Sequence, residues 1–338
     1  MLTKKKGILM IVSIALMVVM LSAQVLFAGE AGESEGGSRG GQGGPGGPGG
    51  NGGMSGGMQA ETDETVQAAF EEASDKFIQE IYVDEETGTK LEYSLYIPET
   101  AGSEATGDKS YPLLMFIPDS SASGLSAADI VSRYYGAVVW ATQEDQEKHP
   151  AYIFVPAFSE TVVDDNWNTS DQIETAVRAI ESLIGEYNID TDRIYTTGQS
   201  MGCMTSLYLN SKYPDLFAAS LYVSGQWDIS VLKGMEEQTF FYIVSAGDSK
   251  ASGGQAEVKA MFDEDGVSYT SGEWNCKDED QNEKAAALIA EDLPANMVLF
   301  EAAYADDSGN EQALGHMQSF NYAYKISAVR DWLFEQTK

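Results

Sequence analysis

The chain has 338 residues, a hydrophobic fraction of 43% and a formal net charge of −33, from 20 Lys and Arg against 53 Asp and Glu. That length suits one large domain or two small ones, and the apolar share is enough for a substantial core. The charge disfavours nucleic acid and anionic membrane surfaces, and it reads as a solvated acidic exterior.

The N-terminus carries Lys4-Lys5-Lys6, an apolar run from Gly7 to Leu21, and a small-residue exit from Ser22 to Ala28. A basic region, an apolar region and such an exit predict a secretory signal peptide over residues 1–28, cut after Ala28. Gly7 to Ala28 is also long enough to act as an uncleaved anchor, the one route by which a membrane partner is expected. No cysteine stands near the exit, which argues against a lipoprotein anchor. Residues 29–60 form a linker: glycine fills 14 of the 22 positions from Gly36 to Gly57. Such a tract is a flexible tether with a reach on the order of 25–30 Å. Residues 61–338 are left for the folded domain.

Glu61 to Glu72 is acidic and predicts a short helix with Val66, Ala69 and Phe70 inward, with the packed domain beginning near Lys76. Phe77 to Val83 and Lys90 to Ile97 read as two strands joined by Asp84-Glu-Glu-Thr-Gly88, a hairpin signal. Leu113 to Ile117 is a continuous apolar run typical of a buried central strand, and Tyr152 to Val155 is another. Ala127 to Thr142 reads as one helix. Ser170 opens an amphipathic helix with Ile173, Val177, Ile180, Leu183 and Ile184 on one face, capped by Ser170 or Asp171.

Further strands are expected at Ile194 to Thr197, Phe217 to Val223, Thr239 to Ser245 and Met297 to Ala302. Helices are expected around Gln255 to Phe262, at Asn282 to Ala290 and from Asn321 to Glu335, with residues 263–292 otherwise polar and featureless. Strands alternating with helices define an α/β fold with a mostly parallel sheet of about eight strands flanked by helices.

One stretch organises this pattern. The strand Ile194 to Thr197 runs into Gly198-Gln199-Ser200-Met201-Gly202, and a helical pattern begins at once with Met204, Leu207 and Tyr208. Strand, G-x-S-x-G, helix is the context of a nucleophile elbow, with Ser200 as the nucleophile. The glycines are needed because side chains at 198 and 202 would collide with the neighbouring strand and the incoming helix. Gly53-Met-Ser-Gly-Gly57 also spells G-x-S-x-G, but inside the glycine tract, so Ser55 is a chance match.

A serine hydroxyl needs a base, and the chain has two histidines, His149 and His316. With the order Ser, acid, His along the chain, only His316 qualifies; His149 reads as a surface or turn histidine. The acid should follow a strand between Ser200 and His316. Asp248 is the choice and Asp228 the rival, while Asp306 and Asp307 lie too near His316 in one loop. The oxyanion hole needs two N–H groups. Met201 supplies one, and the loop after Ile117 supplies the other, from Asp119, Ser120 or Ser121. Trp167, Gln199 and Trp227 are the candidates to contact substrate, with ordinary packing as the alternative for each tryptophan. Cys203 and Cys276 make no disulfide framework, and their pairing stays open. Two His and two Cys without ligand spacing give no metal site, and the chemistry requires no metal or organic cofactor.

The chain resembles the secreted α/β-hydrolase esterases that group polyhydroxybutyrate depolymerase-like and feruloyl-esterase-like enzymes with prolyl-oligopeptidase-type peptidases. The resemblance runs from about Lys90 to Leu333. It rests on Leu91 to Pro98, Tyr111-Pro-Leu-Leu, Lys148-His-Pro150, Asn166-Trp167 and Asp192 to Gly202. It continues through Tyr213 to Ala219, Gly315-His316, Asn321-Tyr-Ala-Tyr324 and Asp331-Trp-Leu-Phe334. It implies the α/β-hydrolase fold, with Ser200 as nucleophile, Asp248 as acid and His316 as base. There are departures. Pro118-Asp119 stands where the family has His-Gly, Cys203 replaces a second glycine, and Phe320 replaces a tryptophan. The expected activity is hydrolysis of small-molecule or polymer-linked carboxylic esters, with Met201 and Ser120 as oxyanion donors. Peptide hydrolysis on the same triad, or a non-catalytic surface or carbohydrate-binding role, are the alternatives.

Overall fold

The computed structural model describes residues 63–101 and 109–338. The expectations for the signal segment, the glycine tether and Ser55 lie outside the described residues. A nine-stranded sheet forms the centre, in the order β1-β2-β4-β3-β5-β6-β7-β9-β8. These strands are β1 (Ile78–Val83), β2 (Lys90–Tyr96), β3 (Tyr111–Ile117), β4 (Tyr152–Ala157), β5 (Ile189–Gln199), β6 (Ala219–Val223), β7 (Phe240–Ser245), β8 (Thr270–Trp274) and β9 (Ala295–Phe300). The pairs β1–β2 and β2–β4 are antiparallel, and every later pair is parallel. The mostly parallel α/β sheet is therefore as expected, with nine strands in place of about eight. A separate hairpin of β10 (Ala303–Ala305) and β11 (Glu311–Ala313) precedes the His316 loop.

Helices cover both faces. On one face lie α1 (Glu64–Ala73), α2 (Ala127–Val131), α3 (Tyr135–Val138), α8 (Gln281–Ile289), α9 (Ser319–Lys325) and α10 (Ser327–Glu335), which bury Val66, Ile130, Val138, Ala285, Tyr324 and Trp332. On the other lie α5 (Gln172–Glu186), α6 (Met201–Lys212) and α7 (Ser249–Asp265), which bury Ile180, Leu207 and Phe262. Strand β3 feeds both layers: Leu114 and Phe116 point into the first, Leu113, Met115 and Ile117 into the second. The two-residue period of a strand buried on both sides is what makes its sequence uniformly apolar.

The differences from the sequence reading have local causes. The packed domain starts before Lys76, because Val66, Ala69 and Ala73 of α1 are buried in the core. Residues 127–142 are not one helix but α2, α3 and a 3-10 turn over Val139–Ala141, followed by α4 (Gln143–Lys148). Gly136 explains the tight docking there: a Cβ on it would stand 2.5 Å from the rings of Phe116 and Tyr324. The last helix breaks at Ile326, which is extended and buried. The Arg330 guanidinium takes up the Tyr324 carbonyl at 2.6 Å near the break. Strand β8 lies in the stretch read as featureless.

Candidate active site

Ser200 joins β5 to α6 in a strained conformation, with φ 53° and ψ −117°. A non-glycine residue adopts this only where its surroundings enforce it. Those surroundings are close. A Cβ on Gly198 would lie 2.4 Å from the Gly202 backbone, and one on Gly202 would lie 1.9 Å from the Ile117 carbonyl oxygen. Gly225, after β6, packs equally tightly: a Cβ there would stand 2.7 Å from the Ser200 carbonyl oxygen. The Ser200 N–H donates to the Val223 carbonyl at 3.0 Å, which ties the turn to β6.

His316 Nε2 stands 2.7 Å from Ser200 Oγ, and His316 Nδ1 is hydrogen-bonded to the Asp248 carboxylate. Burial raises the Asp248 carboxyl, but the His316 hydrogen bond and charge, with the Ala251 and Lys250 N–H groups, outweigh it and hold the group below its usual value. An ionised carboxylate only accepts, so Nδ1 carries the proton and Nε2 of the neutral imidazole is free to accept from the Ser200 hydroxyl. The rivals sit elsewhere. Asp228 caps a 3-10 turn through Ser230 N–H, Asp306 is spent on its own turn, and the Asp307 side chain is exposed, close to Lys277. His149 pairs with Asp331 at 3.1 Å and stacks on Phe334.

Local packing positions Asp248 and His316. Asp248 follows β7 and caps α7 by accepting from Ala251 N–H. Gly247 beside it lies against the Leu314 carbonyl oxygen, 2.3 Å from where a Cβ would be. Behind His316, the Ser319 hydroxyl donates to the His316 carbonyl at 2.8 Å and meets Ser224 Oγ at 2.7 Å. Phe320 packs edge-on against the imidazole with centroids 5.0 Å apart, occupying the place where the resemblance puts a tryptophan. Sequence reasoning missed Ser224, Ser245 and Ser319, since a lone buried serine carries no pattern.

The expected oxyanion donors are both first-turn N–H groups. Met201 opens α6, and Ser120 opens the 3-10 turn Ser120–Ala122 after β3. Such groups have no acceptor within their own helix. Ile117 is in register with Gly198, so this turn lies beside the elbow. Asp119 does not present its carboxylate to the site. It is 2% exposed and accepts from Ser121 N–H, from Ser121 OH and from Gln199 Nε2.

That bond corrects the expectation for Gln199, whose side chain is buried against Asp119 rather than presented to substrate. Trp167 and Trp227 form an edge-to-face pair with centroids 5.3 Å apart. Trp227 is 4% exposed and packs on Tyr208, whereas Trp167 is 40% exposed on a positive-φ backbone. Asp165 ties the Trp167 loop to the segments that follow β6 and β7, accepting from Gln226 at 3.2 Å and from Lys250 at 2.6 Å. Cys203 and Cys276 are both free and buried, so they do not pair. Among the described residues, no cluster of three or more His, Cys, Asp or Glu is arranged to hold a metal ion, and no helix is long and apolar enough to cross a membrane.

No family model and no curated protein matches the chain. Solved structures do. A thermostable esterase aligns with TM-score 0.62 and 22% identity over 79% of this chain. A ferulic acid esterase aligns with TM-score 0.52 and 12% identity, over 77% of this chain and 97% of its own. A ferulic acid esterase from Anaeromyces mucronatus, bound to ferulic acid, aligns with TM-score 0.50 and 14% identity, over 75% and 89%. This chain spans 64% of the length of the thermostable esterase. Strand order, elbow and these likenesses together define the fold as that of the α/β-hydrolases.

Proposed function

We propose that the chain is an exported serine hydrolase of carboxylic esters, acting through Ser200, His316 and Asp248. The observation that carries this reading is the continuous relay from Ser200 Oγ through the imidazole to Asp248, built on a strained elbow. His316 Nε2 takes the hydroxyl proton as Ser200 Oγ attacks the carbonyl carbon. Met201 and Ser120 N–H groups hold the oxyanion. The leaving alcohol takes the proton from Nε2; water then gives a proton to Nε2 as it attacks the acyl-enzyme, and Nε2 returns it to Ser200 Oγ as the carboxylic acid leaves. Asp248 holds the tautomer and stabilises the imidazolium without taking the proton. Trp167 forms one wall for the acyl or alcohol group.

Residues 1–28 serve export in this reading, as a cleaved signal or an anchor; 29–60 are a tether and 61–338 the catalytic domain. The feature that favours a binding-only scaffold is Asp119. It stands with Pro118 where the family has His-Gly; against that reading, its carboxylate already accepts from Gln199 and Ser121.

The test is steady-state hydrolysis of 4-nitrophenyl acetate and methyl ferulate, the latter because two of the fold neighbours are ferulic acid esterases. Ser200→Ala and His316→Ala are each expected to lower kcat by about 10⁴-fold or more. Hydrolysis by Ser200→Ala at the wild-type rate would refute the assignment.

A further inference from the structure

We propose that Asp119 is a positioning residue for the oxyanion hole, acting through Gln199; the inference rests on the hydrolase reading above. Asp119 lies between β3 and the turn that carries the Ser120 N–H. Its Oδ1 accepts from Ser121 N–H at 2.9 Å and from the Ser121 hydroxyl at 2.5 Å, which fixes the shape of the turn. Its Oδ2 accepts from Gln199 Nε2 at 2.9 Å. Gln199 is the residue before the nucleophile, and its backbone is held in register with Val223 of β6.

One buried carboxylate thus clamps the two segments that must supply the two N–H donors, one on each side of the reacting carbonyl. The Tyr134 hydroxyl supports the Ser121 side of the carboxylate, 2.8 Å from Ser121 Oγ and 3.5 Å from Asp119 Oδ1. Burial and then the Asp119 charge push its phenol up to about 12, so it stays a protonated donor. Turned this way, the carboxylate does not compete with the oxyanion for Ser120 N–H. A donor displaced by a fraction of an ångström still lets substrate bind but stabilises the oxyanion less. The signature is therefore a loss in kcat without a loss in ground-state binding.

The experiment compares wild type, Asp119→Asn, Gln199→Glu and the double variant in three readouts. These are kcat and KM for 4-nitrophenyl acetate, affinity for an alkyl trifluoromethyl ketone that forms a tetrahedral adduct with the serine, and melting temperature. Asp119→Asn is expected to lower kcat at least about tenfold, with KM within about twofold and ketone affinity reduced by a similar factor. Gln199→Glu sets two carboxylates against each other and is expected to do the same or worse. The double variant restores a pair of reversed polarity, with Asn Nδ2 donating to the glutamate, and is expected to recover kcat above either single variant.

Single variants that turn over and bind the ketone like wild type overturn the proposal. So does a loss that appears in KM or melting temperature alone, with no recovery in the double variant, since that marks a substrate contact or a merely structural one. Should Asp119→Asn not fold, Gln199→Glu and the double variant carry the same comparison. Absence of Ser200-dependent turnover in the wild type overturns the parent reading and this one together, whereas an active wild type with unaffected variants removes this one alone.

Discussion

The Ser245 hydroxyl donates to the Leu314 carbonyl at 2.6 Å and accepts from the Gly247 N–H at 3.1 Å. Ser245 ends β7, three residues before Asp248, and Leu314 lies two residues before His316. One buried hydroxyl therefore ties the loop that carries Asp248 to the loop that carries His316.

Ser245→Ala leaves the buried Leu314 carbonyl and the part-buried Gly247 N–H short of a partner. It is expected to destabilise the fold by about 1–3 kcal/mol. Because the His316 loop loosens with it, kcat should fall by more than the loss of folded protein explains. Urea midpoints and turnover measured on the same preparations check both halves.

Asp248→Asn should lower kcat by about 10⁴-fold, because an amide favours the wrong imidazole tautomer. Its effect on stability depends on pH with a defined sign. The folded Asp248 carboxyl sits below its usual value of 3.8. A depressed carboxyl contributes stability that is present above the unfolded value and is lost as pH falls through the folded one. The stability gap between wild type and Asp248→Asn is thus expected to be flat above about pH 5 and to close below about pH 4. Thermal midpoints across pH 3 to 7 read this directly.

Arg330 donates to both Asp145 oxygens, at 2.7 and 3.0 Å, and both side chains are buried. Arg330→Ala strands the carboxylate and frees the Tyr324 carbonyl at the break between α9 and α10. A loss of about 3–5 kcal/mol is expected. Arg330→Met, which leaves the same carboxylate unpaired, should be as damaging, whereas removing both charges as Arg330→Met with Asp145→Leu should cost less. A denaturation cycle over these variants separates the two cases.

The cysteines give a test of a different kind. Burial pushes the Cys276 thiol up to about 12 and raises Cys203 further. Both are expected to resist a thiol reagent in the native state and to react fully in denaturant. An intact mass unchanged by reduction would agree; a shift on reduction would contradict the free state.

The parts of this molecule that follow local rules were legible in the chain. β3 reads as buried because both its faces are covered, and the elbow because glycine is forced at 198 and 202 by contacts under 3 Å. Chain order and a place after a strand, not their neighbours, single out Asp248 and His316, and the structure brings both side chains into line with Ser200. What was not legible depends on partners far along the chain. Gln199 meets Asp119 across 80 residues, so its burial has no local signal. β8 reads as loop because only Thr270 and Trp274 of its five residues are buried. The breaks at residues 132–134 and at Ile326 interrupt patterns that look helical, because side-chain packing around Gly136 and Arg330 outweighs periodicity.

The central assignment is an activated Ser200, and the most direct measurement is reaction of the folded protein with a fluorophosphonate probe followed by peptide mapping. A single adduct on Ser200, lost in His316→Ala and strongly slowed in Asp248→Asn, is the expected result. No adduct on a folded wild type beside a working control hydrolase would contradict it, as would an adduct on another serine with Ser200 untouched.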